Sequence, residues 1–181
     1  TRTRMTKYSC CVLLWPPIQI ISGSSDGTVR VWDAKTTDCL RFFSPSGAGR
    51  HITELTSIHS LVLSPLNPEY IIVGSKSNTV HLMNLKVTLF HQSSSPSPSS
   101  SPSSSHHLNV VRCVAQGKVI KSYFSGKKDV IFLKCITSKK GGFIYAVGED
   151  RHLYCFNANT GNLDYTLMVH AALACIFTSC G

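Results

Sequence analysis

An all-β fold of antiparallel sheets that repeat along the chain is what this sequence predicts, and three observations carry that expectation. The stretch Ile20–Asp33, IISGSSDGTVRVWD, reads as a strand, a tight turn and a second strand. Ile20 and Ile21 open a β-branched run, Ser25-Asp26-Gly27 supplies turn chemistry, and Thr28 to Trp32 alternate toward a buried aromatic. The same register returns at Ser77–Asn84 and Asp150–Asn157, with Met83 and Phe156 at the place of Trp32 and Asn84 and Asn157 at that of Asp33. The strands ahead of these copies also match, as IISGSS, IIVGSK and IYAVGE. Earlier still, Ile58–Ser64 and Val130–Ser138 are hydrophobic runs that end at a serine before a polar turn. Unrelated hairpins would not keep this order of run, turn, strand, turn, strand.

The Asp-Gly turn followed by Val-x-Val-Trp-Asp resembles the end of a WD40 repeat, where Trp-Asp closes the third strand of a propeller blade. The fold expected is therefore an incomplete WD40 β-propeller of about three blades, each an antiparallel four-stranded sheet. Seven blades of ~40–45 residues would need about 300 residues. The chain has 181 and begins at Thr1, so it is expected to be a piece of a longer protein.

Taken in order, residues 1–19 form a non-repeat head. Arg2, Arg4 and Lys7 precede the apolar Cys10–Trp15, which imitates a signal peptide but is short, breaks at Pro16-Pro17 and lacks a small-x-small cleavage site. The head does not read as the first strand that a blade beginning at Ile20 requires, so that strand is expected to be missing. Residues 20–86 carry two sets of blade strands: the outer strand Asp38–Phe43 follows the first hairpin, and Ile58–Asn84 supplies three strands of the next blade.

Residues 87–116 interrupt the pattern with SSSPSPSSSPSSS, too poor in apolar residues to fold and expected to be disordered over 90–108. Trp32 and Met83 are 51 residues apart, and Met83 and Phe156 are 73 apart. Excising the 30 residues Val87–Gln116 reduces the second spacing to 43, near the repeat period, and joins Leu85-Lys86 to Gly117-Lys118-Val119 as a run into an outer strand. A Val codon can begin with the GT, and a Gln codon be the CAG, that bound an intron, and Ser/Pro codons write a pyrimidine tract. The insert, and the head ending at Gln19, thus read as unspliced intron translated in frame. The alternative is a natural loop, with Ser95, Ser97 and Ser101 before proline as phosphorylation candidates. Residues 117–170 continue the blades through Val119–Ser125, Val130–Ser138, Phe143–Gly148, His152–Phe156 and Leu163–Val169. In the tail 171–181 no strand-turn-strand continuation is recognisable.

The net charge of +9 invites a nucleic-acid or acidic partner, but it is spread along the chain. The cluster worth weighing is Lys118, Lys121, Lys127, Lys128 and Lys134, with Lys139 and Lys140 on a turn and Tyr123 and Phe124 interleaved. It reads first as solvated strand edges guarded by lysine, and second as a weak RNA-facing patch. None of the eight cysteines is in Cys-x-x-Cys spacing, and His106-His107 stands too loosely before Cys113 for a zinc finger. Cys135 and Cys155 read as small apolar strand residues, so reduced thiols and no metal site are expected. No run of ~18 apolar residues occurs, so no transmembrane helix and no membrane partner are expected. No phosphate-binding loop, nucleophile elbow or convergent acid/base pair is present, which excludes the commonest enzyme signatures; no catalytic residue, cofactor or small-molecule substrate is expected.

Beyond the generic repeat, SSDGTVRVWDAKTTDCL, the NPEY and SNTVHLMNL blocks, SYFSGKK and IYAVGEDRHLYCFNANTGNLDYTLMVH are similar to the C-terminal propeller of the Smu-type WD40 splicing factors (suppressor of mec and unc). The match covers Ile20–Lys86 and Gly117–His170, or 121 of 181 residues. VGEDRHLYCF and SNTVHLMN are its most specific parts. The resemblance implies a nuclear, non-catalytic scaffold of the spliceosome, with the splicing protein RED as a partner through parts not matched here. The family's N-terminal helical dimerisation region of the LisH type is likewise unmatched. A different WD40 adaptor, such as a ubiquitin-ligase substrate receptor, is the other reading. The resemblance further implies a Trp–Ser/Thr–His–Asp hydrogen-bond tetrad. Ser22, Asp26 and Trp32 match three of its places; in the later copy Asp150 matches while Ala146 and Phe156 do not, and His170 sits where a loop histidine is placed. These roles are structural.

Overall fold

The computed structural model describes residues 8–14 (by backbone), 19–45, 56–85 and 117–169. Among them are twelve strands: β1 (Tyr8–Leu14), β2 (Gln19–Ser24), β3 (Val29–Asp33), β4 (Cys39–Phe43), β5 (Ile58–Leu63), β6 (Tyr70–Ser75), β7 (Thr79–Asn84), β8 (Lys118–Phe124), β9 (Phe132–Thr137), β10 (Phe143–Gly148), β11 (His152–Asn157) and β12 (Leu163–Met168). They form three four-stranded antiparallel sheets in sequential order, β1–β4, β5–β8 and β9–β12, hereafter the first, second and third blades.

Two expectations about strand count meet the structure differently. The outer strand of the second blade is β8, from beyond the Ser/Pro-rich insert, pairing with β7 from Thr79↔Phe124 to Asn84↔Lys118. The missing first strand is a correction. The head supplies β1, which pairs with β2 from Tyr8↔Ser24 to Leu14↔Gln19. Cys10–Leu14 is a short continuous apolar run, and such a run is a strand signal even without alternation. The insert and the segment 90–108, His170 and the tail 171–181 lie outside the described residues.

The blades repeat in register more closely than their residue identities do. Trp32 pairs with Ile20, Met83 with Ile71 and Phe156 with Ile144, so the three third-strand positions are equivalent as expected. Each first–second strand pair carries a bulge at one place, skipping Ser9, His59 or Leu133. Each third–fourth pair carries another, skipping Leu40, Ile120 or Asp164. A bulge adds twist and re-aims the side chains beyond it, so two bulges at fixed positions give every blade the same curvature.

Turn chemistry repeats too. Asp33 Oδ1 accepts from the amides of Lys35 (2.7 Å) and Thr36 (3.1 Å), and Asn157 Oδ1 accepts from those of Asn159 (3.0 Å) and Thr160 (3.1 Å). The fourth residue past each cap has positive φ: Thr37 at 63° and Gly161 at 88°. Asp33 is thus a turn cap, and asparagine serves equally because only the side-chain oxygen is needed.

Two apolar clusters hold the blades together. One joins Ile21, Val29, Val31 and Phe43 of the first blade to Ile58, Ile71, Val73 and Met83 of the second. The other joins Ile72, Val80 and Tyr123 of the second to Phe132, Ile144, Tyr154 and Phe156 of the third. Phe132 meets Tyr154 and Phe156 edge-on, at centroid distances of 5.3 and 6.0 Å, in the favoured aromatic geometry.

Candidate interaction surface

Side chains that could touch a partner are set by where each strand ends. The β2–β3, β6–β7 and β10–β11 turns and the β8–β9 loop share one end of the blades. The β3–β4, β5–β6, β9–β10 and β11–β12 turns share the other.

At the first end, each second-to-third-strand turn is built around one acceptor. Asp26 Oδ1 accepts from the Thr28 amide (3.0 Å) and hydroxyl (2.5 Å), and Oδ2 pairs with Arg30 at 3.0 Å. Asp150 Oδ1 accepts from the His152 amide (3.3 Å), while Oδ2 accepts from the Tyr154 hydroxyl (2.6 Å) and from Lys127 Nζ (3.4 Å). In the middle blade Ser77 Oγ takes the same role toward the Thr79 amide at 3.2 Å. Burial alone would raise both aspartates. The hydrogen bonds from Thr28 onto Asp26, and from Tyr154, His152 and Lys127 onto Asp150, outweigh it and hold both below the ordinary 3.8. Gly148 is needed beside Asp150, because a Cβ there would stand 2.4 Å from Oδ1.

Of the expected tetrad, Trp32 Nε1 donates to Ser22 Oγ at 2.8 Å. Asp26 instead serves its own turn and Arg30. In the third blade Phe156 is fully buried against Tyr123 and Phe132, replacing the tryptophan's hydrogen bond with aromatic contact.

The lysine cluster does not converge. Lys127 and Lys128 lie on the β8–β9 loop at one end of the blades, while Lys139 and Lys140 lie on the β9–β10 turn at the other. Lys121 Nζ donates to Asn159 O, and Lys127 pairs with Asp150 while lying 5.7 Å from the Tyr154 ring centroid. Tyr123 is buried, its hydroxyl donating to Ala158 O at 3.0 Å, whereas Phe124 is 48% exposed. The sequence put both aromatics beside the lysines, but strand alternation sends them to opposite faces.

Sequence reading missed a set of contacts that bridge neighbouring blades. Arg41 Nη1 donates to Leu85 O at 2.8 Å, and Lys121 reaches Asn159 from the same register position one blade on. His59, the bulge residue of β5, places Nε2 2.7 Å from Phe132 O. Ser60 Oγ accepts from the Cys135 amide (3.0 Å) and donates to Cys135 O (3.1 Å). Nothing in the local sequence marks these residues, whose partners lie about 40 to 75 positions away. Cys135 and Cys155 are buried thiols within strands and Cys39 is an exposed one, none of the three in a disulfide. Among the described residues no group of three or more His, Cys, Asp or Glu is placed to hold a metal, and no helix is long and apolar enough to cross a membrane.

No protein-family model matches the chain. A curated relative, WD40 repeat-containing protein smu1 of Dictyostelium discoideum, is 27% identical over 152 residues, which is 84% of this chain and 22% of the relative. Among solved structures, a chain of the mitotic checkpoint complex superposes with a TM-score of 0.59 at 14% identity, covering 92% of this chain and 38% of that one. The Myceliophteria thermophila Cps50 (Swd1) β-propeller domain superposes with a TM-score of 0.62 at 13% identity, covering 90% and 41%. At those identities the structures speak to the fold alone. The chain forms blades of the WD40 β-propeller fold, and in sequence it is similar to a Smu-type WD40 protein, of which it spans 22% of the length.

Proposed function

We propose that this chain is part of a non-catalytic WD40 scaffold of the spliceosome, located in the nucleus and supporting pre-mRNA splicing through protein–protein contacts. The observation that carries the reading is the place of its most specific stretches. SNTVHLMN runs through the β6–β7 turn and β7, VGEDRHLYCF runs from the end of β10 through the turn into β11, and the chain as a whole is similar to a Smu1 protein. The titratable groups there are engaged in holding turns: Asp150 is bound by Tyr154, His152 and Lys127. That is the arrangement of a shaped surface rather than of a general acid or base awaiting a substrate.

Affinity purification of the tagged chain from nuclear extract tests this, probing spliceosomal proteins against ubiquitin-ligase subunits. Recovery of spliceosomal proteins is expected, with RED weak or absent because its contact is assigned to parts of the family not matched here. Recovery of ligase subunits alone would instead support the adaptor reading. Direct RNA contact is weak on this account, because the lysines split between two ends and Tyr123 is buried. Submicromolar binding to one RNA sequence at physiological salt, lost in the K127E/K128E double variant, would overturn that part. We further propose that Val87–Gln116 is translated from unspliced intron. A mature transcript that still carries the segment would refute it.

A further inference from the structure

We propose that Ser64 is a phosphorylation site, and that Lys139 and Lys140 of the neighbouring blade hold its phosphate as a latch between the second and third blades. Ser64 stands where β5 enters its turn, and its amide donates to Tyr70 O at 2.9 Å. Asn67 closes the turn: its Oδ1 accepts from the Glu69 amide at 2.8 Å and its carbonyl from the Tyr70 amide at 3.0 Å. The backbone at Ser64 is therefore fixed while its hydroxyl stays idle, without a hydrogen-bond partner among the described residues and not sealed from water. Ser138 holds the same place in the third blade, its amide bonded to Phe143 O, but its Oγ accepts from the Phe143 amide at 3.0 Å.

Pro65 follows directly, and Pro65, Leu66 and Pro68 are all exposed. The turn thus presents the Ser-Pro pair that proline-directed kinases select. Ser44 also precedes a proline, but its Oγ is buried.

The receiving charge lies on the next blade. A Cβ added at Gly141 would stand 2.5 Å from Leu66 Cγ and 3.0 Å from Pro65 Cγ, so the β9–β10 turn sits directly against the Ser64 turn. Lys139 and Lys140 lead into that glycine. Both are exposed, and neither has an ion-pair or hydrogen-bond partner among the described residues. A phosphoserine carries a charge of about −1.5 to −2 and three acceptor oxygens, which two idle ammonium groups match with charge-assisted hydrogen bonds. In the transfer, Ser64 Oγ bonds to the γ-phosphorus of a nucleoside triphosphate and the bond from that phosphorus to the β–γ bridging oxygen breaks. The nucleoside diphosphate leaves, and the hydroxyl proton passes to the kinase's base. This inference does not rest on the splicing role.

Incubating the folded chain with ATP and a mitogen-activated protein kinase, followed by peptide mapping, tests the site; phosphate on Ser64 is expected. Urea unfolding of S64E and S64A, each in the parent and in K139A/K140A, tests the latch without the kinase. Relative to S64A, S64E should lower the unfolding constant of the parent by roughly twofold to fivefold, and ~1 M salt should erase the difference. With both lysines removed, S64E and S64A should be equally stable. The two lysines are exposed, so the circular dichroism of K139A/K140A should match that of the parent. Three results would overturn the proposal: no phosphate on Ser64 of the folded chain; S64E no more stable than S64A; or an S64E advantage that survives in K139A/K140A.

Discussion

Thr37 shows how much one backbone angle carries. Its φ of 63° is a conformation that β-branched residues avoid, and the equivalent turn in the third blade uses Gly161. The left-handed penalty is ~1–2 kcal/mol and glycine's extra chain entropy costs ~0.5–1 kcal/mol. Thr37→Gly is therefore expected to stabilise the protein by about 0.5 kcal/mol, read as a higher denaturant midpoint with an unchanged m-value. His81 makes the complementary point about charge. Burial disfavours its imidazolium and lowers its pKa below 6.5, while its Nδ1 sits 3.0 Å from Ser122 Oγ. The unfolded chain then binds the proton more readily, so the His81 contribution is complete above about pH 6.5 and is lost as pH falls toward the folded value. Urea unfolding at pH 7.5 and 5 should show His81→Asn losing less stability on acidification than the parent; an equal loss would exclude His81 as a source.

At the scale of elements, the interfaces between blades dominate. Phe156 is fully buried and meets Tyr123, Phe132 and Tyr154, so Phe156→Ala should cost ~3–5 kcal/mol by thermal or chemical unfolding. Deleting Val87–Gln116 should change stability by ~1 kcal/mol or less, because loop-closure cost grows only with the logarithm of length. The hairpins were legible in the sequence because Asp26-Gly27 and the alternation around Val29 and Val31 are local signals. The strand β1 was not, since a continuous apolar run followed by Pro16-Pro17 has no period to read. The pairing of β7 with β8 was legible only through the repeat spacing. The blade-bridging contacts of Arg41, His59 and Ser60 were illegible, because pairing partners so far apart depend on the assembled sheets. The ends to which the individual lysines go were illegible for the same reason: neighbours in sequence reach different faces and ends.

At the scale of the whole molecule, three sheets share one register, and each meets the next through equivalent positions. Repeat proteins of this kind draw stability from neighbour interfaces as much as from single units. The second blade meets a neighbour on both of its faces, through the first cluster on one side and the second cluster on the other. The second blade is completed by a strand arriving from beyond a 30-residue interruption, and the continuity of the three sheets depends on it. Amide hydrogen exchange of the full chain, read peptide by peptide, tests this most directly. Residues 118–124 should be clearly protected, though less than 79–84, since β8 shares a ladder with β7 alone while β7 is paired on both sides. Free exchange of 118–124 at the rate of an unstructured peptide, with 79–84 still protected, would contradict it.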